Sequence, residues 1–478
     1  MTDSPLPPRV AEFDETLALQ KAAHLLAMSP SYEARRDSLE RLYRLIAENE
    51  EALIAAINQD YGLRADFETR FAEAFLLRHE IRATLKSLRA WMRPVRRHLS
   101  FLQYPGAKAW TFPQPKGVVG IIVPWNFPLL LSMAPACTAL AAGNRVMVKM
   151  SENSNALAEL LRALVPRYFD SSELAVFADG DGRGPSFSAL AFDHLFFTGS
   201  SATGRAVMMN AARNLTPVTL ELGGKSPAVI AEDFDIAEAA NRVMWAKTLN
   251  AGQICTNIDH LYVPTGKVDA FIAAARAWMA KHVPAVTSGD YTAVIDQTAY
   301  DRLQATLDDA LAKGAKRVDL GDVTKDDASR RLMSPVALLD VTVQMEVMQR
   351  EIFGPLLPII PYRSLDEVIP AINARPRPLA MYVYSNESAV QQKFLHNTIT
   401  GGVGLNEAVV QAGIHSLPFG GTGNSGMGHY HGIEGFQTFS KLRPVFKQSR
   451  RFRGLNLFLP PYSGLPRRLL AWVNKLQG

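Results

Sequence analysis

Cys255 lies in the segment Asn250-Ala251-Gly252-Gln253-Ile254-Cys255-Thr256, and thirty-four residues upstream the chain reads Glu221-Leu222-Gly223-Gly224-Lys225. One stretch of chain therefore carries a candidate nucleophile and a candidate base. A free cysteine titrates near ~8.5 and attacks as the thiolate, so chemistry at neutral pH needs a tuned setting or a neighbouring base. Taken alone, a Gly-Gln-x-Cys segment reads first as a buried structural cysteine, which packs as a small hydrophobe. A histidine partner such as His260 or His194 would instead make Cys255 the nucleophile of a cysteine hydrolase.

A second kind of chemistry is suggested upstream. Phe197-Thr198-Gly199-Ser200-Ser201-Ala202-Thr203-Gly204 follows an apolar run and opens a helical one, the place where a sheet-and-helix fold presents backbone N–H groups to phosphate. It lacks the first glycine spacing of the dinucleotide fingerprint, so a plain structural turn is the competing reading. Lys149-Met150-Ser151-Glu152 ends another apolar run, where its cation and carboxylate either bracket a ribose or form a solvated strand end.

The elements that must hold these residues follow from periodicity. Ser31 to Leu88 is helical in pattern, with Leu39, Leu42, Tyr43 and Ile46 on one face. After it, β-rich runs alternate with helical stretches: Val118 to Val123, Arg145 to Lys149, Leu174 to Phe177, His194 to Thr198, Val218 to Glu221 and Ala228 to Ile230. A second alternating region includes Leu261 to Val263, Ala337 to Leu339, Leu356 to Ile360 and Met381 to Tyr384. The expected fold class is α/β, with two lobes built of βα units around parallel sheets. The run Gly420 to Gly428 reads as a constrained loop.

Composition narrows the function classes. The 478 residues are 47% hydrophobic and 20% charged, ordinary for a large globular chain. A net charge of +5 is spread among 46 acidic residues, which argues against a nucleic-acid partner. Two cysteines, Cys137 and Cys255, indicate no disulfide framework and fit a reducing, cytoplasmic setting. Met1-Thr2-Asp3-Ser4-Pro5 lacks the basic-then-apolar layout of a secretion signal. The charge-free stretch between Lys116 and Arg145 is long enough to mimic a membrane span, but Pro124, Asn126, Pro128 and Pro135 interrupt it, so a buried strand, a loop and a buried helix are expected.

Pro124-Trp125-Asn126-Phe127-Pro128, Lys149-x-Ser151-Glu152, Phe197-Thr198-Gly199-Ser200, Leu220-Glu221-Leu222-Gly223-Gly224-Lys225, Gly252-Gln253-x-Cys255 and Glu351-Ile352-Phe353-Gly354-Pro355 stand in an order that resembles the aldehyde dehydrogenase superfamily over about residues 10 to 460. The short N-terminus and Leu417-Pro418-Phe419-Gly420-Gly421 through Gly432 resemble its class 3-like branch, particularly coniferyl aldehyde dehydrogenases. The resemblance implies a Rossmann-type cofactor lobe, an α/β catalytic lobe and a small β oligomerisation element. Its boundaries would be 1-98 and 117-222 for the NAD(P)-binding domain, 223-405 for the catalytic domain, 99-116 and 406-445 for the oligomerisation element, and 446-478 for a basic tail.

The resemblance also implies roles. Cys255 would form a thiohemiacetal and then a thioester with an aldehyde, Asn126 and the Cys255 backbone N–H would hold the oxyanion, and Glu221 would activate water. Trp125, Gly199, Ser200, Gly204 and Leu222 would line the cofactor path, Lys149 and Glu152 would meet the adenosine ribose, and Glu351 and Phe353 would meet the nicotinamide half. Glu152 favours NAD over NADP by repelling a 2′-phosphate, while Met150 replaces the family's usual proline. Glu221 argues against an acyl-CoA-forming relative, and no metal is implied. The expected substrate is coniferyl or a related aromatic aldehyde, with fatty or aliphatic aldehydes as the alternative, and a homodimer is expected. A noncatalytic protein on the same scaffold is the reading from another class.

The tail stands apart. Arg443, Lys447, Arg450, Arg451 and Arg453 precede Leu455-Asn456-Leu457-Phe458-Leu459, and Leu469, Trp472, Val473 and Leu476 share a helical face near Arg467 and Arg468. Such a helix either packs on protein or makes peripheral contact with a membrane surface.

Overall fold

The computed structural model describes residues 7–101, 104–180, 182–451, 453, 455–456 and 459–477. The N-terminal residues Met1 to Pro5, Leu457, Phe458 and the Leu476 side chain considered above lie outside the described residues.

Helix Ala11–Leu26 precedes the helical layer expected over Ser31 to Leu88, which comprises Tyr32–Glu48, Glu50–Tyr61 and Leu76–Trp91, with a π-helical turn at Arg70–Phe75. Ser31 starts the second helix by accepting the Ala34 N–H at 3.2 Å, and Gly62 ends the third with φ at 73°. Leu39, Leu42 and Ile46 are buried, as their spacing requires, and Tyr43 packs at the edge of the core.

Two sheets carry the lobes. In the first, the order is Gly426–Met427, Val218–Leu222, His194–Gly199, Val118–Ile122, Arg145–Lys149, Leu174–Phe177, parallel except for its short first strand. Val118–Ile122 sits where the strand order reverses, between strands that come later in the chain on both sides. A crevice at the carboxyl ends of such strands is where α/β sheets take ligands, and here it is flanked by Pro124–Asn126 and Gly199–Ser201. The second sheet runs Lys316–Asp319, Val336–Leu339, Leu356–Tyr362, His260–Pro264, Pro227–Ile230, Ala380–Tyr384, Gly402–Leu405, parallel after its first antiparallel pair. Strand Val218–Leu222 passes through Gly223-Gly224 into Pro227–Ile230, so carboxyl ends of one sheet meet amino ends of the other. Cys255 and Glu351 occupy loops that enter this second sheet at those amino ends.

A third, antiparallel sheet of Val95–Arg97, Lys108–Pro115 and Ser440–Lys447 stands outside both lobes. The charge-free stretch forms strand Val118–Ile122 and helix Pro128–Ala141, which is buried along nearly its whole length. Among the described residues no helix is long and apolar enough to cross a membrane. Helix Leu465–Gln477 forms in the tail, with Leu465, Leu470 and Trp472 exposed.

One buried ion pair ties the helical layer to the site. Arg64 Nη1 donates to Glu73 at 2.9 Å with both side chains fully buried, and the second Glu73 oxygen accepts the Leu129 and Leu130 N–H groups at 2.7 and 3.2 Å. Glu73 thus satisfies the start of helix Pro128–Ala141, directly after Asn126. Arg64→Met would leave Glu73 buried and unpaired, and we expect it to lower stability by about 3–5 kcal/mol. Denaturant midpoints with an unchanged slope measure that loss, and a midpoint equal to wild type would contradict it.

Candidate active site

The backbone before Cys255 is held in an unusual shape. Asn250 and Ala251 have φ of 51° and 50°, a left-handed conformation that costs on the order of 1–3 kcal/mol per residue and needs support from its surroundings. Asn250 Nδ2 donates to Tyr61 Oη at 3.2 Å and to the Gln253 carbonyl at 3.1 Å. Gln253 donates to the Asn250 and Ala293 carbonyls at 2.9 and 3.0 Å and accepts the Ile295 N–H at 3.0 Å. A β carbon on Gly252 would lie 2.5 Å from the Gly354 carbonyl oxygen, so this position requires glycine. The Asn-x-Gly-Gln pattern before the thiol is thus a support for a strained turn.

Cys255 lies where two cavities meet. One, of about 400 Å³, is lined by Pro124, Trp125, Asn126, Gly199, Ser200, Glu221, Gly223, Glu351 and Phe353 together with Cys255. The other, of about 220 Å³, is walled mainly by apolar groups, including Phe127, Leu130, Trp245, Leu249, Ile254 and Val409. Burial, reinforced by the Glu351 and Glu221 carboxylates, pushes the Cys255 thiol up to about 12, against the pull of the Cys255 and Thr256 backbone N–H groups. The Asn126 side-chain amide donates one N–H to the Gln253 carbonyl at 3.2 Å, and the Asn126 backbone carbonyl accepts from Tyr61 Oη at 3.0 Å.

Glu221 is buried, and neither carboxyl oxygen has a hydrogen-bond partner. Burial pushes its carboxyl well above the usual range, and the nearby Gly421 N–H, which does not form a hydrogen bond with it, offsets this only in part. Thr198 stands in register with Glu221 on the adjacent strand, and its buried hydroxyl is also unpartnered. Unpaired polar groups facing a cleft beside a thiol mark a reaction centre rather than a packed core.

The residues expected to meet a dinucleotide fall into two groups. Trp125, Gly199, Ser200, Glu351 and Phe353 line the larger cavity with the thiol. Trp125 and Phe353 meet edge to face at 5.4 Å, and Phe353 holds φ at 51°. Ser200 caps helix Ser201–Ala212, accepting the Thr203 N–H at 3.2 Å, so that helix presents its amino end at the cavity. Gly204 packs that helix onto the sheet, because a β carbon there would meet Leu222 at 2.7 Å. A β carbon on Gly223 would lie 2.2 Å from the Glu351 carboxylate, so glycine here leaves room for that side chain in its present position. These residues fit a nicotinamide dinucleotide, whose bound form supplies the hydride acceptor.

Lys149 and Glu152 lie away from this wall. Lys149 is buried and paired with Asp179, while Glu152 is exposed and accepts from Ser151 at 3.3 Å. Asp179 escaped the sequence reading, although an Asp-Gly pair after an apolar run was a signal that a strand ends there. His194 bonds Lys116 at 3.0 Å and Thr219 at 2.9 Å, and His260 is buried beside Asp259; burial lowers them to about 3 and about 4. Neither lines the cavities at Cys255, so the two histidines considered as a hydrolase base stand away from the thiol; His431 does line the apolar cavity, and burial lowers it to about 3.

Residues 10–445 match the family model described as Aldehyde dehydrogenase family. A Pseudomonas aeruginosa protein named "Probable coniferyl aldehyde dehydrogenase" is 44% identical over 95% of this chain and 94% of its own. The solved structure described as the substrate-bound state of Staphylococcus aureus AldH superposes with a TM-score of 0.90 at 32% identity, covering 96% of this chain and 99% of that one. A Mycobacterium tuberculosis aldehyde dehydrogenase complexed with NAD+ superposes with a TM-score of 0.83 at 26% identity, covering 94% and 92%.

Proposed function

The chain belongs to the aldehyde dehydrogenase family and is an NAD(P)-dependent aldehyde dehydrogenase, and from that premise we propose that Cys255, Asn126 and Glu221 carry its reaction. Cys255 loses its thiol proton to solvent and attacks the aldehyde carbon as the thiolate, and the Asn126 amide with the Cys255 backbone N–H stabilises the negative charge that develops on oxygen. The Asn126 amide is held beforehand by the Gln253 carbonyl and its backbone by Tyr61 Oη, so little reorganisation of that donor accompanies charge formation. A nicotinamide held along Trp125, Glu351 and Phe353 would supply the hydride acceptor, and Cys255 would then carry the acyl group as a thioester. Glu221, buried and without a competing partner, takes a proton from the water that hydrolyses it. The observation that carries this reading is the meeting of both cavities at Cys255, one suited to a dinucleotide and the other to an apolar aldehyde.

The substrate is coniferyl or a related aromatic aldehyde. The apolar cavity is smaller than the ~300–1,000 Å³ usual for drug-sized ligands, which suits a ring on a short chain better than a long alkyl tail. A relative 44% identical bears the coniferyl aldehyde name. Formation of reduced nicotinamide with coniferyl aldehyde, benzaldehyde and long aliphatic aldehydes tests this directly. A preference for the long aliphatic aldehydes would replace the aromatic assignment. Trp245→Ala is expected to lower kcat/KM for coniferyl aldehyde about 10- to 100-fold, and that for acetaldehyde far less. Equal losses for both would remove Trp245 from substrate recognition.

NAD is the preferred cofactor, with Glu152 at the strand end opposing a 2′-phosphate. Lys149 and Glu152 border the adenosine side, with Lys149 held in place by Asp179, and Gly204 and Leu222 shape the cofactor path from beneath the helix. The first sheet serves as the cofactor lobe, the second as the catalytic lobe and the outer sheet as the oligomerisation element; this moves Val95–Arg97 out of the expected 1-98 cofactor segment and Gly426–Met427 out of the expected 406-445 element. The open edges of that sheet support a homodimer. Two free cysteines accord with a reducing, cytoplasmic setting. The 13-residue helix Leu465–Gln477, basic and exposed, limits any lipid contact to the surface.

A further inference from the structure

The segment Glu221–Lys225 ends on a lysine that this chemistry leaves unused. Lys225 Nζ donates to the carbonyl oxygens of Val347 at 2.7 Å and Arg350 at 3.0 Å, and pairs with the Asp259 carboxylate. The other Asp259 oxygen accepts the Ile352 N–H at 2.9 Å. Glu351 is therefore held from both sides: Lys225 fixes the residue before it and Asp259 the residue after it. The pair has side-chain exposures of 10% and 3%, so it escapes the screening that weakens surface ion pairs.

The placement of the pair gives it a second property. Lys225 closes the segment that carries Glu221, and Asp259 lies four residues beyond Cys255. One ion pair thus joins the segments of base and nucleophile to the loop that bears Glu351 and Phe353. Gly223 leaves the space into which Glu351 projects. A buried ion pair seldom adds stability over well-packed apolar residues, whereas these bonds restrict the backbone on either side of one carboxylate.

We propose that Lys225 and Asp259 are positioning residues for cofactor binding, acting through Glu351 by fixing the backbone of residues 350 and 352. The proposal rests on the reading of the cofactor site in which Glu351 meets the ribose of the nicotinamide half, the contact that the family resemblance implies for it. Its anchors are two carbonyl oxygens, one N–H and an ion pair, and no part of it requires Lys225 to touch cofactor or aldehyde.

The test measures KM for NAD, kcat, and the alkylation rate of Cys255 by iodoacetamide without cofactor, in wild type, Lys225→Gln, Glu351→Ala and the double variant. Lys225→Gln is expected to raise KM for NAD about tenfold, equivalent to ~1.4 kcal/mol, while kcat and cofactor-free alkylation change far less. In the Glu351→Ala background the same substitution is expected to change KM less than about twofold, because residues acting as a unit are not additive. An unchanged KM, an equal rise in both backgrounds, or alkylation that slows in step with KM would overturn the proposal. If Lys225→Gln does not fold, Lys225→Gln/Asp259→Asn leaves no lone buried charge and is judged by the same criteria. A wild-type KM for NAD in Glu351→Ala would instead contradict the ribose role of Glu351.

Discussion

Cys255→Ala is expected to abolish aldehyde oxidation, lowering turnover by on the order of 10⁵-fold or more, the scale on which loss of a nucleophile acts. The substitution removes one sulfur at a site that borders two cavities and leaves the supporting bonds of Asn250 and Gln253 in place. The fold should therefore survive, and NAD should still raise the melting temperature of the variant. No other thiol can take over. Cys137 is fully buried in helix Pro128–Ala141, and burial pushes its thiol well above the ordinary range. Absorbance of reduced nicotinamide follows the loss. Residual turnover within about a hundredfold of wild type would mean that Cys255 is not the nucleophile.

Glu221→Gln should separate the two halves of the reaction. Glutamine keeps the shape of the side chain but cannot take a proton from water, so hydrolysis of the thioester should slow about 10²- to 10⁴-fold. Acylation should be spared. The Glu221 carboxylate is one of the groups that hold the Cys255 thiol high, and its removal moves that thiol toward the ordinary range and favours the thiolate. The expected time course is a burst of reduced nicotinamide close to one equivalent per site, followed by a slow steady rate. A steady rate equal to wild type would take Glu221 out of the base role. A burst lost together with turnover would place it in acylation.

Most of the two lobes was legible in the chain because their strands are short apolar runs between helical patterns. The predicted runs Arg145 to Lys149 and Leu174 to Phe177 match the observed strands, Val118 to Val123 overshoots its strand by one residue, and the rest fall short by one or two residues. Gly420 to Gly428, read as a constrained loop, contains the short strand Gly426–Met427 against Leu220 and Glu221. The three-stranded outer sheet had no such signal. Lys108–Pro115 and Ser440–Lys447 both contain prolines and charges; Lys108–Pro115 is partly buried on both faces and Ser440–Lys447 is exposed along most of its length, so neither shows the alternation that marks a half-buried strand. Lys316–Asp319 is a polar edge strand and escaped for the same reason.

The site divides along a similar line. Cys255, Glu221, Asn126 and Glu351 stand in motifs whose residue types announce chemistry, and the fold brings all four to one cavity. The groups that hold them were not legible. Arg64 with Glu73, Lys149 with Asp179 and Lys225 with Asp259 are buried charge pairs. Charged residues are ordinarily exposed, so nothing in the local pattern marks these as interior. Lys149 shows the consequence: a cation at a strand end suggested a ribose contact, and its amine is engaged by a carboxylate thirty residues along the chain.

The central claim, that an aldehyde is oxidised while bound to Cys255, is tested most directly by mass spectrometry of Glu221→Gln mixed with NAD and coniferyl aldehyde and quenched in acid within the burst. The account predicts a protein heavier by one acyl group, with the added mass on the peptide that contains Cys255 and absent from Cys255→Ala. Reduced nicotinamide formed with no adduct on that peptide, or with the adduct elsewhere, would contradict it.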